Sequence, residues 1–178
     1  MEMKRVEEYM VDLDSYPQIK DTATLMEAIE VMDKFADPEN HKNKGIPRML
    51  LVFDHANILV GMLRRRDLFR GLEPKFLLHR ELDYRKKLFD VQIDPNLSEM
   101  SPEQMMSGAK EQAKSPVTDV MRPVKMYVNH DDHVLKAIYE MVDHNVSVLP
   151  VLNGDRVLGV VRSVEVFQEL ARLLLDKG

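Results

Sequence analysis

A chain of 178 residues with 44% hydrophobic side chains has room for one ordinary domain, or for two small repeats sharing a core. Its formal net charge of −5 argues against sequence-independent nucleic-acid binding, which needs a basic face. The lack of any cysteine removes disulfides, thiolate metal sites and a cysteine nucleophile.

The chain opens Met1–Glu2–Met3–Lys4–Arg5, without the apolar core of a signal peptide, and no window approaches the ~20 apolar residues of a membrane span. A cytoplasmic protein that does not enter a membrane is expected. Residues 3–11 read as a short helix and Pro17 to Ile19 as a short strand. Asp21 or Thr22 is expected to cap the next helix, whose apolar face is Leu25, Ile29, Met32 and Phe35. Residues 37–45 read as a polar loop with breakers at both ends, a solvated insertion in preference to a flap over a ligand. Met49 to Phe53 and Ile58 to Leu63 form a strand pair turned by Asp54 to Asn57, and Asp67 to Gly71 begins another helix.

Residues 73–115 follow as a segment of different character. Lys75 to Phe89 is strongly charged and reads as mostly helical. Ser101–Pro102–Glu103–Gln104 carries the signals of a helix start: a hydroxyl cap, proline at the first position and a glutamine to close a capping box. That helix is expected to run to about Ala113 and to stop before Pro116. The segment is a linker packed on the rest, or an arm for a protein partner in which Met100, Met105 and Met106 supply adaptable apolar contact.

From Pro116 the order of parts repeats. Val117 to Met121 opens the unit, and Val124 to Val128 is a short apolar stretch. Asp131 is expected to cap a helix whose apolar face is Val134, Leu135, Ile138, Met141 and Val142. Val146 to Leu152 reads as a buried strand, Asn153–Gly154 as a hairpin turn and Val157 to Val161 as the return strand, before a last helix from Glu165 to Leu174. Val6 to Met10 matches Val117 to Met121, and Glu27 to Met32 matches Lys136 to Met141. Leu50 to Asp54 matches Leu149 to Asn153, and Val60 to Leu63 matches Leu158 to Val161.

This order, with Asp119–Val120–Met121, Ala137, Met141, Leu149–Pro150–Val151 and Gly159–Val160–Val161, resembles the CBS domain, a small ligand-sensing module found in tandem pairs (Bateman modules). The resemblance implies an α/β fold of two β-α-β-β-α repeats about a pseudo-twofold axis, their three-stranded sheets face to face and their helices outside. The domains are then 1–72 and 116–178, with 73–115 inserted between them. It also implies a non-catalytic regulatory module, often a homodimer, that binds AMP, ADP, ATP or S-adenosylmethionine. The apolar helical faces Leu25/Ile29/Met32 and Leu135/Ile138/Val142 are more than two small repeats can cover alone, and a homodimer is expected from them. The alternative is a structural or protein-interaction module with vestigial clefts.

In the family, a Gly, two hydrophobics, Ser or Thr, two variable residues and an Asp mark each cleft, the Asp holding both ribose hydroxyls. The first repeat reads Gly61–Met62–Leu63–Arg64–Arg65–Arg66–Asp67, keeping the Asp and replacing the hydroxyl by Arg64. The second reads Gly159–Val160–Val161–Arg162–Ser163–Val164–Glu165, with Arg162 and Glu165 at the two positions. By the resemblance, Tyr16, Pro17, Leu51 and Val52 clamp the base in one repeat, and Val124, Met126, Pro150 and Val151 in the other. A guanidinium at Arg64 or Arg162 suits a phosphate, bidentately and with charge assistance; the other reading is that the two arginines fill the clefts or pair with acids on the surface. His130–Asp131–Asp132–His133 brings metal-ligating side chains together, but at a helix start acidic residues offset the macrodipole, so no metal site is expected there.

Overall fold

The computed structural model describes residues 4–36, 47–73 and 101–175. The polar loop at 37–45, the charged stretch at 75–89 and Met100 lie outside the described residues. Eight strands and five α-helices are formed by the described residues, in the order β1 (Val11–Asp12), β2 (Gln18–Lys20), α1 (Leu25–Ala36), β3 (Met49–Phe53), β4 (Leu59–Arg64), α2 (Arg65–Leu72), α3 (Pro102–Gln112), β5 (Arg122–Pro123), β6 (Val128–Asn129), α4 (Val134–Asp143), β7 (Val148–Asn153), β8 (Arg156–Arg162) and α5 (Ser163–Leu175).

The strands make two mixed sheets of matching order, β2-β3-β4-β5 and β6-β7-β8-β1. Alternation along the strands decides what each sheet covers, because successive side chains point to opposite faces. Leu50, Val52 and Leu63 meet Leu25, Ala28 and Met32 of α1 and Leu68 of α2 in one cluster. Leu149, Val151 and Val161 meet Val134, Ala137 and Met141 of α4 and Val166 of α5 in another. The alternate residues Met49, Leu51, Phe53 and Met62 face Val148 and Val160 in a third cluster, which joins the two sheets. Helices therefore lie outside and the sheets face one another.

Each sheet has four strands rather than three, because the leading segment of each repeat crosses to the other. β1 pairs antiparallel with β8 at Gly159 and Val160, and β5 pairs with β4 at Gly61 and Met62. The equivalence extends to the bonds. Val6 donates its amide to Asp132 (2.9 Å), as Val117 does to Ala23 (2.9 Å). Val134, first residue of α4, donates to Lys4, and Leu25, first residue of α1, donates to Ser115. Val6 and Val117 are both fully buried, each in the core cluster of the opposite repeat.

Four local expectations change. Residues 3–11 give a 3-10 turn at Val6–Glu8 and then β1, because the open edge of β8 takes the backbone of Val11–Asp12. Thr24, not Asp21 or Thr22, caps α1. Its amide donates to Glu27 Oε2 (2.7 Å), and its hydroxyl accepts from the Glu27 amide (3.3 Å). Asp131 does not cap α4, because the helix starts two residues later than expected, with His133 at the N-cap position and the Lys4 carbonyl taking the first amide. On α4, Leu135 and Val142 face solvent and Ala137 takes the core position. α3 starts where Ser101 and Gln104 indicate, with both capping-box bonds formed, and packs on α2.

Candidate functional site

Each repeat begins its last helix directly at the end of a strand, without a loop. β4 runs into α2 and β8 into α5, so the residue three places into the helix is carried back over the strand end. In the first repeat that residue is Asp67. It is 1% exposed, and its Oδ2 accepts the Arg64 backbone amide at 3.1 Å, half of a capping box. Around the carboxylate three guanidiniums converge. Arg64 donates twice (Nε to Oδ2, 2.9 Å; Nη2 to Oδ1, 3.1 Å), Arg70 donates from Nη2 (3.2 Å) and Arg122 from Nε (3.3 Å). Burial pushes the Asp67 carboxyl up, but the bonds from Arg64 and Arg122 outweigh it and hold the group below the usual aspartate value. Arg122 belongs to β5, so the cluster is closed by the second repeat.

The second repeat builds the counterpart with one arginine. Arg162 donates from Nε to both Glu165 oxygens (2.9 and 3.0 Å) and again from Nη2 to Oε1. Tyr16, from the leading part of the first repeat, lies close enough to feel both charges. Its phenol is pushed up chiefly by burial, and its hydroxyl has no hydrogen-bond partner among the described residues. Each carboxylate is thus attended by a residue of the other repeat, Asp67 by Arg122 and Glu165 by Tyr16.

The motif glycines have a packing reason. A Cβ on Gly159 would enter the van der Waals shell of the Val11 carbonyl oxygen, and one on Gly61 would lie 2.7 Å from Met121 Sδ and 3.2 Å from the Arg122 carbonyl oxygen. Both make room for the crossing strand.

The other sequence-named residues divide. Tyr16, Leu51 and Val124 belong to the cluster between the sheets. Val52 and Val151 belong to the clusters between sheet and helix, facing away from it. Met126 packs at the edge of the second-repeat core, and Pro17 and Pro150 are buried, the Pro17 carbonyl accepting from the Leu51 amide. Arg70 and Arg122 were not singled out by the sequence. Arg70 was findable, being one helical turn beyond Asp67, whereas Arg122 becomes a neighbour only through the crossing of β5.

His130 to His133 serves the same crossing. His130 Nδ1 lies 2.9 Å from Glu7 Oε2, Arg5 donates to the Asp131 carbonyl, and Asp132 accepts from Lys136 (2.8 Å) and from the Asn129 amide (2.7 Å). Among the described residues no three His, Asp or Glu side chains are grouped to hold a metal ion. Among them, too, no helix is long and apolar enough to cross a membrane.

A cavity of about 530 Å³ lies elsewhere, at the hairpin ends of the two repeats, between Ile19, Lys20, Phe53 and Asn57 on one side and Asp155 to Val157 on the other. It is roughly the length of β4 away from Asp67, on the order of 15–20 Å.

The sequence pattern of the CBS domain matches residues 6–74 and 117–172. No curated protein matches the chain. Among solved structures, a putative acetoin utilization protein (AcuB) from Vibrio cholerae is similar over 98% of this chain and 95% of its own, with a TM-score of 0.61 at 18% identity. The CBS domain of a membrane protein from Sphaerobacter thermophilus gives a TM-score of 0.64 at 16% identity, covering 93% and 87%. The CBS domain pair of protein MJ0100, solved in complex with 5-methylthioadenosine and S-adenosyl-L-methionine, gives 0.59 at 17% identity, covering 99% and 100%.

Proposed function

This chain belongs to the CBS domain family, and on that premise we propose that it is a regulatory, non-catalytic cytoplasmic module that senses a phosphate-bearing adenine nucleotide at Asp67. The observation that carries this reading is the gathering of three guanidiniums, from both repeats, on one buried carboxylate. Asp67 sets one negative charge against their three positive charges. A nucleotide supplies both missing chemistries. Its ribose diol donates to the carboxylate, and its phosphates accept from the arginines that the carboxylate gives up. Because Arg122 belongs to β5, that exchange alters a contact between the repeats. A signal follows only from a difference in affinity between the two arrangements.

The same charges rank ligands. ATP and ADP are favoured over adenosine, and S-adenosylmethionine, which carries a sulfonium, is disfavoured near three arginines. The MJ0100 pair took two sulfur-containing adenosines, and the cytosolic domain of the magnesium channel MgtE was solved with ATP. The Arg162–Glu165 cleft pairs one cation with one anion and draws phosphate less.

A second reading has its own observation. Asp67 accepts five hydrogen bonds against about four lone-pair sites, so any ribose must compete. In that case the cluster is a fixed joint, and the module works by contact with a partner, with residues 73–115 as the candidate surface.

Calorimetry separates the two. Losing two hydrogen bonds to a charged acceptor costs roughly 2–4 kcal/mol, so Asp67→Ala is expected to weaken nucleotide at least about tenfold. Arg64→Ala is expected to weaken ATP more than adenosine, and Glu165→Ala to matter less. Undetectable binding to the parent protein, or equal binding to Asp67→Ala, gives the field to the fixed joint.

A further inference from the structure

We propose that the cavity between the hairpin ends is a separate small-molecule site, built for an organic monoanion with an apolar body. At about 530 Å³ it has the size of a ligand pocket. Its walls are apolar at Leu13, Ile19, Phe53 and Val157, contributed by both repeats, so an occupant spans the seam.

The charge preference comes from Lys20 and Arg156. The Lys20 ammonium is held by two neutral acceptors, the Asp54 carbonyl (2.8 Å) and Asn57 Oδ1 (2.6 Å). It makes no ion pair among the described residues and has a third N–H to give. Among the described residues neither Lys20 nor Arg156 pairs with a carboxylate. Asp155, beside Arg156 in the same turn, offsets one of the two charges, which leaves room for one added negative charge rather than two. Holding Lys20 in place beforehand lowers the ordering cost of binding. The site is independent of the Asp67 cleft, which lies at the other end of β4.

The probe is 1-anilinonaphthalene-8-sulfonate, a fluorescent apolar monoanion, with neutral N-phenyl-1-naphthylamine as its uncharged counterpart. Saturable one-to-one binding of the anion is expected in the parent. In Lys20→Met/Arg156→Met it falls at least tenfold, while the neutral dye is unaffected. Phe69→Ser, which removes an exposed apolar side chain of α2, leaves both dyes unchanged. If the double variant does not fold, Lys20→Met and Arg156→Met are read singly, each with a partial loss. Unsaturable anion binding, equal binding to the charge variants, or displacement by ATP that Asp67→Ala abolishes overturns the proposal; the last result would assign the dye to the nucleotide cleft.

Discussion

At the scale of single residues, the two motif glycines are not equivalent. A methyl group on Gly159 meets the backbone carbonyl of Val11, which cannot move without breaking the β1–β8 pairing. A methyl group on Gly61 meets first the end of the flexible Met121 side chain, which can turn aside. Overpacking costs about 1–3 kcal/mol, so Gly61→Ala is expected near the lower end and Gly159→Ala at the upper end or beyond. Urea unfolding of both variants checks this, and equal losses would show that the crossing strand is not what selects glycine. Glu169 gives a pH test. It is 2% exposed, and the bonds from Arg172 hold its carboxyl at about 2, against an ordinary 4.5. A depressed folded-state value means stability that is present above pH 4.5 and is lost as pH falls toward 2. Glu169→Gln is therefore expected to be less stable at neutral pH and to show a shallower acid limb. Superimposable stability curves for variant and parent would exclude it. Glu169 stood unmarked in the sequence, because an acidic residue in an amphipathic helix reads as solvated until its neighbours are known.

At the scale of elements, the crossing of the leading segments makes an unusual expectation. Val6 and Val117 are fully buried, so truncation of either to alanine removes two carbon groups at ~0.8 kcal/mol each and leaves a cavity, about 2 kcal/mol in all. The damage is expected in the opposite repeat. Val6→Ala is expected to speed hydrogen exchange in α4 and β7, and Val117→Ala in α1 and β3. If each variant loosens its own repeat instead, the crossing does not hold in solution. The crossing was not legible in the sequence for a definite reason. Two copies of one pattern look the same whether each leading strand joins its own sheet or its neighbour's. What was legible depended on period: the runs at Leu50–Phe53 and Leu149–Leu152, and the capping signal at Ser101 to Gln104, acted locally and appear where expected. The cap of α1 was written locally, as Thr24 followed three places on by Glu27, whereas the first amides of α1 and α4 are taken by the Ser115 and Lys4 carbonyls, tertiary partners that no local signal announces. A further consequence concerns fragments. A cut between residues 72 and 116 leaves each half without the strand that completes its sheet. Residues 116–178 alone are therefore expected to lose cooperative unfolding, and to regain it when a peptide of residues 1–12 is added.

At the scale of the molecule, the apolar surface left over decides how copies meet. Leu25 and Met32 of α1 are spent in the core and are not available for association. The second repeat keeps an open face. Leu135, Tyr139 and Val142 stand at i, i+4 and i+7 on α4, with Tyr139 66% and Val142 76% exposed. Val164, Phe167 and Leu174 stand at i, i+3 and i+10 on α5, with Phe167 68% exposed, and α4 packs against α5. Apolar side chains grouped on neighbouring helices are what an isologous twofold interface uses, each copy presenting the same patch to the other. We therefore expect a homodimer joined through α4 and α5, burying the ~800 Å² per partner that a stable interface needs. Sedimentation equilibrium at micromolar concentration is expected to give the dimer mass for the parent and the monomer mass for Tyr139→Glu/Phe167→Glu, whose carboxylates would face each other across the axis. Phe69→Glu, on α2 of the first repeat, is the control, because Phe69 is as exposed as Phe167 but belongs to the other helix layer. A monomeric parent removes the dimer altogether, and dissociation by Phe69→Glu alone moves the interface to the first repeat, where α3 packs on α2 and the inserted segment would take part.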